Sequence, residues 1–182
     1  MRIFHVDCPD AFSGGECDAI VALATVEVLA PGQVWGEAGY HVDPAFRDVA
    51  TSYHPRSGDT AWIYDRLDAL FARAAEALEV EVGTMAEPLQ IMRYAVGSHF
   101  RTWHTDAGTD RLGGRILSVS VELSDLADYA GGNLEIVPHA LGPRTLPRGG
   151  ARIFPSRTLH RVTPVTRGVR FALVNWVGAP SA

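Results

Sequence analysis

The stretch Ile116-Leu117-Ser118-Val119-Ser120-Val121-Glu122-Leu123 decides the fold, because polar and apolar residues alternate along it from Ser118 onward. Alternation with a period of two is typical of a β-strand, whose successive side chains point to opposite faces. One face of this strand is predicted to join a core, while Ser118, Ser120 and Glu122 face something wet. We expect these three side chains to line a ligand cavity inside a barrel.

Further short β-rich runs flank this strand and are separated by glycine, proline and aspartate. They are Leu89–Tyr94, Asn133–Val137, Ala151–Phe154, Leu159–Val165 and Val169–Val177. Many short strands at such spacing are typical of an antiparallel sandwich or a double-sheet jelly roll. The fold is therefore predicted to be mainly β, with helices packed outside the sheets.

The first part of the chain is predicted to supply those helices. Ser13, with Glu16 three positions later, has the pattern of a capping box, and apolar residues then recur at helical spacing. A second helix with a broad apolar stripe is predicted to begin after Thr60. The segment Val34–Ser57 is rich in glycine, proline and aromatic residues, and is predicted to be irregular.

Composition and charge exclude several classes of protein. The 182 residues suffice for one ordinary domain, and 47% hydrophobic against 20% charged residues is a globular profile. All 16 basic residues are arginine, and the net charge of -5 comes without the basic cluster that gripping nucleic acid requires. No apolar run approaches the roughly 20 residues that cross a bilayer, and no secretory signal is visible. We expect no nucleic-acid or membrane partner and a cytoplasmic location, and the oligomeric state stays open.

Two histidines and a carboxylate carry the pattern of a metal site. His104 and Asp106 are two positions apart, so on a strand both side chains point the same way, and His160 follows 54 residues later. Two histidines and one carboxylate on one face leave open coordination positions and suit a non-haem Fe(II) oxygenase. The competing interpretation is that the His104-Thr105-Asp106 triplet occurs by chance and that His160 has a structural role.

Arg170, ten residues beyond His160, fits the same chemistry. A 2-oxo dicarboxylic acid that binds such a metal through its oxo group and adjacent carboxylate leaves its far carboxylate deep in the barrel. A guanidinium on the last strand can offer this carboxylate two parallel N–H donors. The alternative is a surface arginine on an edge strand.

The order and spacing of these motifs resemble the Fe(II)/2-oxoglutarate-dependent dioxygenases of the prolyl-4-hydroxylase-like group. The resemblance covers most of the chain. Its pieces are Ser13–Cys17, Leu89–Tyr94 with Gly97, Trp103–Asp106, Leu117–Asp125, Gly131–Glu135, Phe154–Ser156, His160, Arg170 and Ala172–Val177.

The resemblance implies a double-stranded β-helix (jelly roll) with the N-terminal helices outside the barrel. It also implies one dioxygenase domain over 1–182, with a helical support region at 1–87 and a catalytic core at 88–182. His104, Asp106 and His160 would then bind Fe(2+). Arg170 would pair with the distal carboxylate of 2-oxoglutarate, and Tyr94 would donate its hydroxyl to the same co-substrate, with O2 as the second co-substrate.

Two positions bear on the reaction type that the resemblance implies. The related halogenases carry a small residue in place of the carboxylate, so an intact Asp106 favours hydroxylation. The nucleic-acid demethylases of the wider superfamily carry a second arginine six residues after the first, where this chain has Trp176. Hydroxylation of an unactivated C–H bond, with 2-oxoglutarate decarboxylated to succinate, is therefore the expected activity.

The substrate is expected to be a free or carrier-bound amino acid. Arg47 and Arg111 lie in segments expected at the cavity mouth and could meet a substrate carboxylate. Glu122 could contact substrate or co-substrate, or be an exposed strand carboxylate, and Trp176 is expected to wall the site. A peptide or protein side chain is the rival substrate. A non-catalytic module that senses iron or 2-oxo acids is the alternative of another class.

Overall fold

A computed structural model describes residues 4–26, 29–36, 39–108, 114–137 and 145–180. Helix α1 spans Gly14–Val26 and helix α2 spans Ala61–Leu78. Both reciprocal hydrogen bonds of the predicted capping box are present at the start of α1. The Ser13 backbone N–H donates to Glu16 Oε2 at 2.7 Å, and the Glu16 backbone N–H donates to Ser13 Oγ at 3.3 Å. No described helix has the length and apolar character needed to cross a membrane, and the cytoplasmic location stays a prediction.

Fourteen strands are found among the described residues. In chain order, β1 to β7 are Val6–Cys8, Ala30–Pro31, Val34–Gly36, Gly39–His41, Ala50–His54, Leu89–Tyr94 and Phe100–His104. Strands β8 to β14 are Arg115–Glu122, Ala130–Gly131, Leu134–Ile136, Ala151–Pro155, His160–Val162, Val165–Arg167 and Arg170–Gly178.

The strands form one large antiparallel sheet and several smaller ones. The large sheet has the order β1-β11-β8-β14-β6-β5-β2, and a second sheet has the order β10-β12-β7. The pairs β13-β9 and β3-β4 complete the set. A cavity lined by residues of both the large and the second sheet lies between these two sheets. With fourteen strands and two helices among the described residues, the architecture is mainly β, as the sequence predicts.

The two faces of the large sheet have different partners because its strands alternate. Odd-numbered side chains such as Leu89, Ile91, Leu117, Val121 and Leu173 are buried in one hydrophobic core with both helices. The apolar stripe of α2 supplies Ile63, Leu67, Phe71 and Ala74 to this core, each at most 2% exposed. Even-numbered side chains of β6 and β14, together with Ser120 of β8, line the cavity, so the helices lie on the side of the sheet away from it.

The segment predicted to be irregular contains three strands, β3, β4 and β5. Strand β5 pairs with β6 over its whole length and so extends the large sheet. Its sequence Ala-Thr-Ser-Tyr-His is mostly polar and carries no apolar alternation, although Thr51 and Ser52 are buried. The irregular reading of this segment was wrong because a neighbouring strand, and not a local pattern, orders it. The division into a support region and a catalytic core stays a prediction, and the β5-β6 pair joins the two parts in one sheet.

Candidate active site

The two histidines of the predicted metal site lie side by side on the second sheet. His104 is the last residue of β7, His160 is the first of β12, and the two are paired in register. Their ring centroids are 4.2 Å apart. Asp106 follows two residues after His104, and its backbone N–H donates to the Ser156 carbonyl at 2.9 Å. Strand pairing therefore brings together two histidines that are 56 positions apart in the sequence.

The three side chains present one ligand atom each to a common point. His160 Nε2 lies 3.5 Å from Asp106 Oδ2, His104 Nε2 lies 4.0 Å from Asp106 Oδ1, and the ligand atoms of the group are all within 4.8 Å of one another. Nδ1 of His104 is 2.8 Å from the Thr102 carbonyl, and Nδ1 of His160 is 3.0 Å from the Thr158 carbonyl. These contacts fix the proton on Nδ1 of each ring and leave both Nε2 lone pairs free for a cation.

The electrostatics of the group suit a cation. Burial, together with the neighbouring His160, lowers the pKa of His104 to about 4, so this ring is neutral near pH 7. Burial alone would raise the pKa of Asp106, but His160, His104 and hydrogen bonds to this carboxyl together outweigh burial and hold its pKa below the ordinary value. Two imidazoles and one carboxylate are the donor set of a divalent transition metal with open positions.

Several residues that the sequence analysis did not assign to the metal site hold these ligands in place. Ser118 Oγ donates to Asp106 Oδ2 at 2.7 Å and lies 2.9 Å from Ser156 Oγ. The Phe100 ring stacks on the His104 ring, with centroids 3.6 Å apart and an interplanar angle of 11°. Phe154 meets His160 edge-on at 4.9 Å. The alternation along β8 predicted that Ser118 lines the cavity, whereas it is 1% exposed and is not among the residues that line it; its partner Asp106 could not be predicted from the sequence.

Arg170 and Tyr94 face each other across the pair β14-β6. Arg170 is 3% exposed, and its guanidinium carbon lies 5.3 Å from the centroid of the Tyr94 ring. Burial opposes its charge, but Glu122, Tyr94 and Tyr129 raise the pKa of Arg170 above its ordinary value. The Tyr94 hydroxyl donates to Met92 Sδ at 3.2 Å, which is a weak acceptor. The reading of Arg170 as a surface arginine is wrong.

One cavity of about 660 Å³ contacts both the metal-site residues and Arg170. Strands β6 and β14 supply its floor through Gln90, Met92, Tyr94, Arg170, Ala172, Val174 and Trp176. The opposite wall carries Phe100, His104, Leu134, His160 and Val162. The two groups of polar side chains therefore face one shared space.

The remaining predicted site residues have different surroundings. Trp176 is 7% exposed and lines the cavity, with the Arg115 guanidinium 3.7 Å from its ring centroid. Glu122 is 5% exposed and bonded to Arg170, so its reading as an exposed carboxylate is wrong. Arg47 lines the cavity as well. Arg111 lies outside the described residues.

Known proteins match this chain in sequence and in structure. A family model described as the 2OG-Fe(II) oxygenase superfamily matches residues 89–178. A PKHD-type hydroxylase of Paraburkholderia phytofirmans is 31% identical over 160 residues, which cover 80% of this chain and 67% of that protein. A PKHD-type hydroxylase of Synechococcus sp. (strain CC9902) is 39% identical over 89 residues, or 48% of this chain. The chain spans only 39% of the length of that cyanobacterial relative in this match.

Two solved structures share the fold. A prolyl-4-hydroxylase of Pseudomonas putida superposes with a TM-score of 0.75 at 16% identity, covering 97% of this chain and 93% of that one. A prolyl hydroxylase of Trichoplax adhaerens, in complex with a hypoxia inducible factor peptide fragment, gives 0.77 at 17% identity, covering 96% and 83%. At this identity the likeness establishes the fold, the double-stranded β-helix jelly roll that the sequence predicts.

Proposed function

The chain belongs to the 2OG-Fe(II) oxygenase superfamily, and from this we propose that it hydroxylates an unactivated C–H bond of a free or carrier-bound amino acid. Family membership brings Fe(2+), 2-oxoglutarate and O2 as cofactor and co-substrates. The proposed reaction couples hydroxylation to the decarboxylation of 2-oxoglutarate to succinate. One observation carries this proposal: the His104, Asp106 and His160 cluster and the Arg170 side chain face the same cavity.

The residues present fit the groups that the family implies. His104, Asp106 and His160 would hold the iron, since their donor atoms converge and both Nδ1 positions are already engaged. Arg170 and Tyr94 would hold the far carboxylate of 2-oxoglutarate through charge-assisted and neutral hydrogen bonds. Bound iron and 2-oxoglutarate together supply the activation of O2, which the side chains of a protein cannot provide.

The chain itself supplies position and the exclusion of water. Phe100 and Phe154 contact the two imidazole rings and limit their rotation, while Ser118 fixes the Asp106 carboxylate. The apolar lining near the metal site, including Val162 and Leu134, keeps the reacting end of the cavity poor in water. Asp106 occupies the ligand position that a halide would need, which supports hydroxylation over halogenation.

The formal charges around the cavity favour a substrate without net charge. The described residues bring three arginines and three carboxylates, namely Arg47, Arg115, Arg170, Glu87, Asp106 and Glu122. Fe(2+) and the 2-oxoglutarate dianion add charges that cancel. A zwitterionic amino acid is neutral and carries the two charged ends that such a mixed surface can bind. We keep Arg111 and Trp176 as proposed substrate contacts, whereas Glu122 belongs to the Arg170 end.

A peptide substrate is the second candidate, and a specific surface favours it. Tyr40 and Tyr53 line the cavity and are 46% and 43% exposed, so they could stack on a chain lying across its mouth. The Trichoplax neighbour binds a peptide fragment. A sensing module that binds iron and 2-oxo acids without turnover stays the alternative of another class.

One experiment separates these functions. Protein loaded anaerobically with Fe(II) and 2-oxoglutarate is exposed to oxygen with panels of free amino acids, amino-acyl carriers and end-blocked peptides. We expect succinate and a gain of one oxygen atom in a member of the first two panels. Faster turnover of an end-blocked peptide than of any amino acid would replace the proposed substrate. Cofactor binding with no oxygen-dependent succinate in any panel would identify the sensor.

A further inference from the structure

In the described part of the chain three arginines reach the cavity, and two of them have carboxylate partners. Arg170 donates to Glu122, and Arg115 is paired with Glu87. Arg47 lines the same cavity, and within the described ranges no carboxylate lies within 4.0 Å of its guanidinium. Arg47 is therefore the cavity arginine whose charge has no anion in contact in the described part of the chain.

The Arg47 guanidinium is buried, and the described residues around it supply only neutral hydrogen-bond acceptors. Arg47 is 7% exposed, and Nη1 donates to the Gln33 carbonyl at 2.8 Å. Nη2 is 3.3 Å from Thr51 Oγ1, 3.4 Å from Gln90 Oε1 and 3.8 Å from Met92 Sδ, which are long contacts. Its buried Nε donor has no acceptor among the described residues.

Gly32 has no side chain, and the Arg47 side chain occupies the space beside it. A Cβ added at Gly32 would be 2.7 Å from Arg47 Nε and 2.7 Å from a methyl carbon of Val49. Since real Cβ atoms essentially never approach so closely, a Cβ at this position would force the Arg47 and Val49 side chains to shift. The Gly32 backbone N–H in turn donates to the Val49 carbonyl at 2.7 Å, which fixes this close approach.

Arg47 lies beside the reacting end of the cavity rather than on its outer surface. Its guanidinium carbon is 5.2 Å from the centroid of the Phe100 ring, and that ring stacks on His104. On its other side Arg47 shares Met92 Sδ as a neighbour with the Tyr94 hydroxyl. The charge is therefore one side chain away from the metal ligand and one side chain away from the proposed co-substrate site.

A buried charged guanidinium calls for an anion in contact with it. Both carboxylates of 2-oxoglutarate already have proposed partners, one at the metal and one at Arg170. We propose, on the basis of the hydroxylase function proposed above, that Arg47 binds the free carboxylate of the substrate. The substrate class is thereby narrowed to free amino acids, because a carrier thioester or an internal peptide residue has no such carboxylate.

The test compares each amino acid that the wild-type enzyme binds with its carboxamide, in which the negative charge alone is removed. The anaerobic protein holding Fe(II) and 2-oxoglutarate is titrated calorimetrically, and KM is measured in oxygen. We expect the acid to bind about 30-fold or more tightly than the amide, as for a charge-assisted pair in a partly buried site. Equal binding of acid and amide by the wild-type enzyme overturns the proposal, whether or not any variant folds.

Arg47→Gln should remove this preference by weakening the acid alone. Arg101→Gln is the matched control, since Arg101 is exposed and donates to the Ala45 carbonyl. A weaker acid with an unchanged amide in Arg47→Gln, and no change in Arg101→Gln, supports the role of Arg47. Equal weakening of acid and amide contradicts it.

Two further readouts separate the possible failures. Titration of the anaerobic metal-to-co-substrate absorption band gives the affinity for 2-oxoglutarate, which Arg47→Gln should leave unchanged. A loss confined to 2-oxoglutarate assigns Arg47 to the co-substrate and overturns the proposal. If only end-blocked peptides react, the proposed function fails together with the role of Arg47. If only carrier-bound residues react, the proposed function stands and the role of Arg47 fails. If free amino acids and their amides react equally, the proposed function stands and this inference alone fails.

Discussion

Glu122 accepts a 2.8 Å hydrogen bond from Nε of Arg170, and both side chains are at least 95% buried. The pair joins neighbouring strands β8 and β14 of the large sheet. By engaging Nε, Glu122 leaves the two terminal nitrogens of the guanidinium for a ligand. The proposed co-substrate arginine is therefore held by a carboxylate of the chain before any co-substrate carboxylate arrives.

Arg170→Gln should weaken 2-oxoglutarate binding by about 30-fold or more, which corresponds to roughly 2–5 kcal/mol for a buried charge-assisted pair. Anaerobic titration of the absorption band measures this affinity, and iron binding should change little. The exposed Arg157 supplies the control Arg157→Gln. Because Arg170→Gln leaves Glu122 buried without its partner, the double variant with Glu122→Gln separates lost stability from lost affinity. An affinity equal to that of the wild type would remove Arg170 from the site.

Tyr94→Phe should have a milder effect on the same titration. One neutral hydrogen bond contributes about 1 kcal/mol, or roughly a fivefold change in affinity. Met92 Sδ, the present acceptor of the Tyr94 hydroxyl, is weak, so a carboxylate would replace it readily. No change in the dissociation constant of 2-oxoglutarate would mean that the tyrosine serves the core and not the co-substrate.

Asp106→Ala should abolish hydroxylation, because the group loses its anionic ligand and retains two neutral imidazoles. The variant is assayed for succinate and hydroxylated product with excess Fe(II), and its metal content is measured after dialysis. Asp59→Ala, which removes an exposed carboxylate, should match the wild type in both measurements. Yields of succinate and hydroxylated product from Asp106→Ala equal to those of the wild type would contradict the assignment of the metal site.

Ser118→Ala should weaken metal binding by about tenfold, the lower end of the range for residues that orient a metal ligand. The Ser118 hydroxyl donates to Asp106 Oδ2, and without it the carboxylate is free to rotate. Ser120→Ala is the matched control, because Ser120 is on the same strand, two residues further on, and lines the cavity. Competition with a chromogenic chelator gives the metal affinity of each variant. Equal metal affinities of Ser118→Ala and Ser120→Ala would show that Ser118 does not orient Asp106.

Glu16→Ala should destabilise the protein near neutral pH, with an effect that fades in acid. Hydrogen bonds from the Ser13 backbone and hydroxyl lower the pKa of Glu16 below its ordinary value of 4.5. A carboxyl group whose pKa is lower in the folded than in the unfolded protein stabilises the fold at pH values above its unfolded-state pKa. This contribution is lost as the pH falls through the folded-state pKa. Urea unfolding across this range, with the exposed Glu76→Ala in α2 as control, measures the difference. A stability gap that does not narrow as the pH falls below 4.5 would contradict the capping role.

The sequence by itself determined the elements whose pattern is local. The alternation of Ile116–Leu123 gave strand β8 to within one residue at each end, and the apolar stripe after Thr60 gave helix α2. The spacing of His104 and Asp106, with the later His160, placed the candidate metal ligands. Each of these follows from a fixed geometric period of strand or helix, which repeats within a few residues and so is written in the chain.

Only the tertiary structure decided which of these residues meet and which charges have partners. Strand β5 exists because β6 pairs with it, although its own residues are mostly polar. Glu122 is buried because Arg170, 48 residues away, satisfies it, whereas Arg47 is buried with neutral acceptors alone among the described residues. Burial and pairing depend on contacts between distant segments, and no local period encodes such contacts. The candidate metal ligands could therefore be predicted from the sequence, whereas the charge environment of the cavity could be seen only in the folded chain.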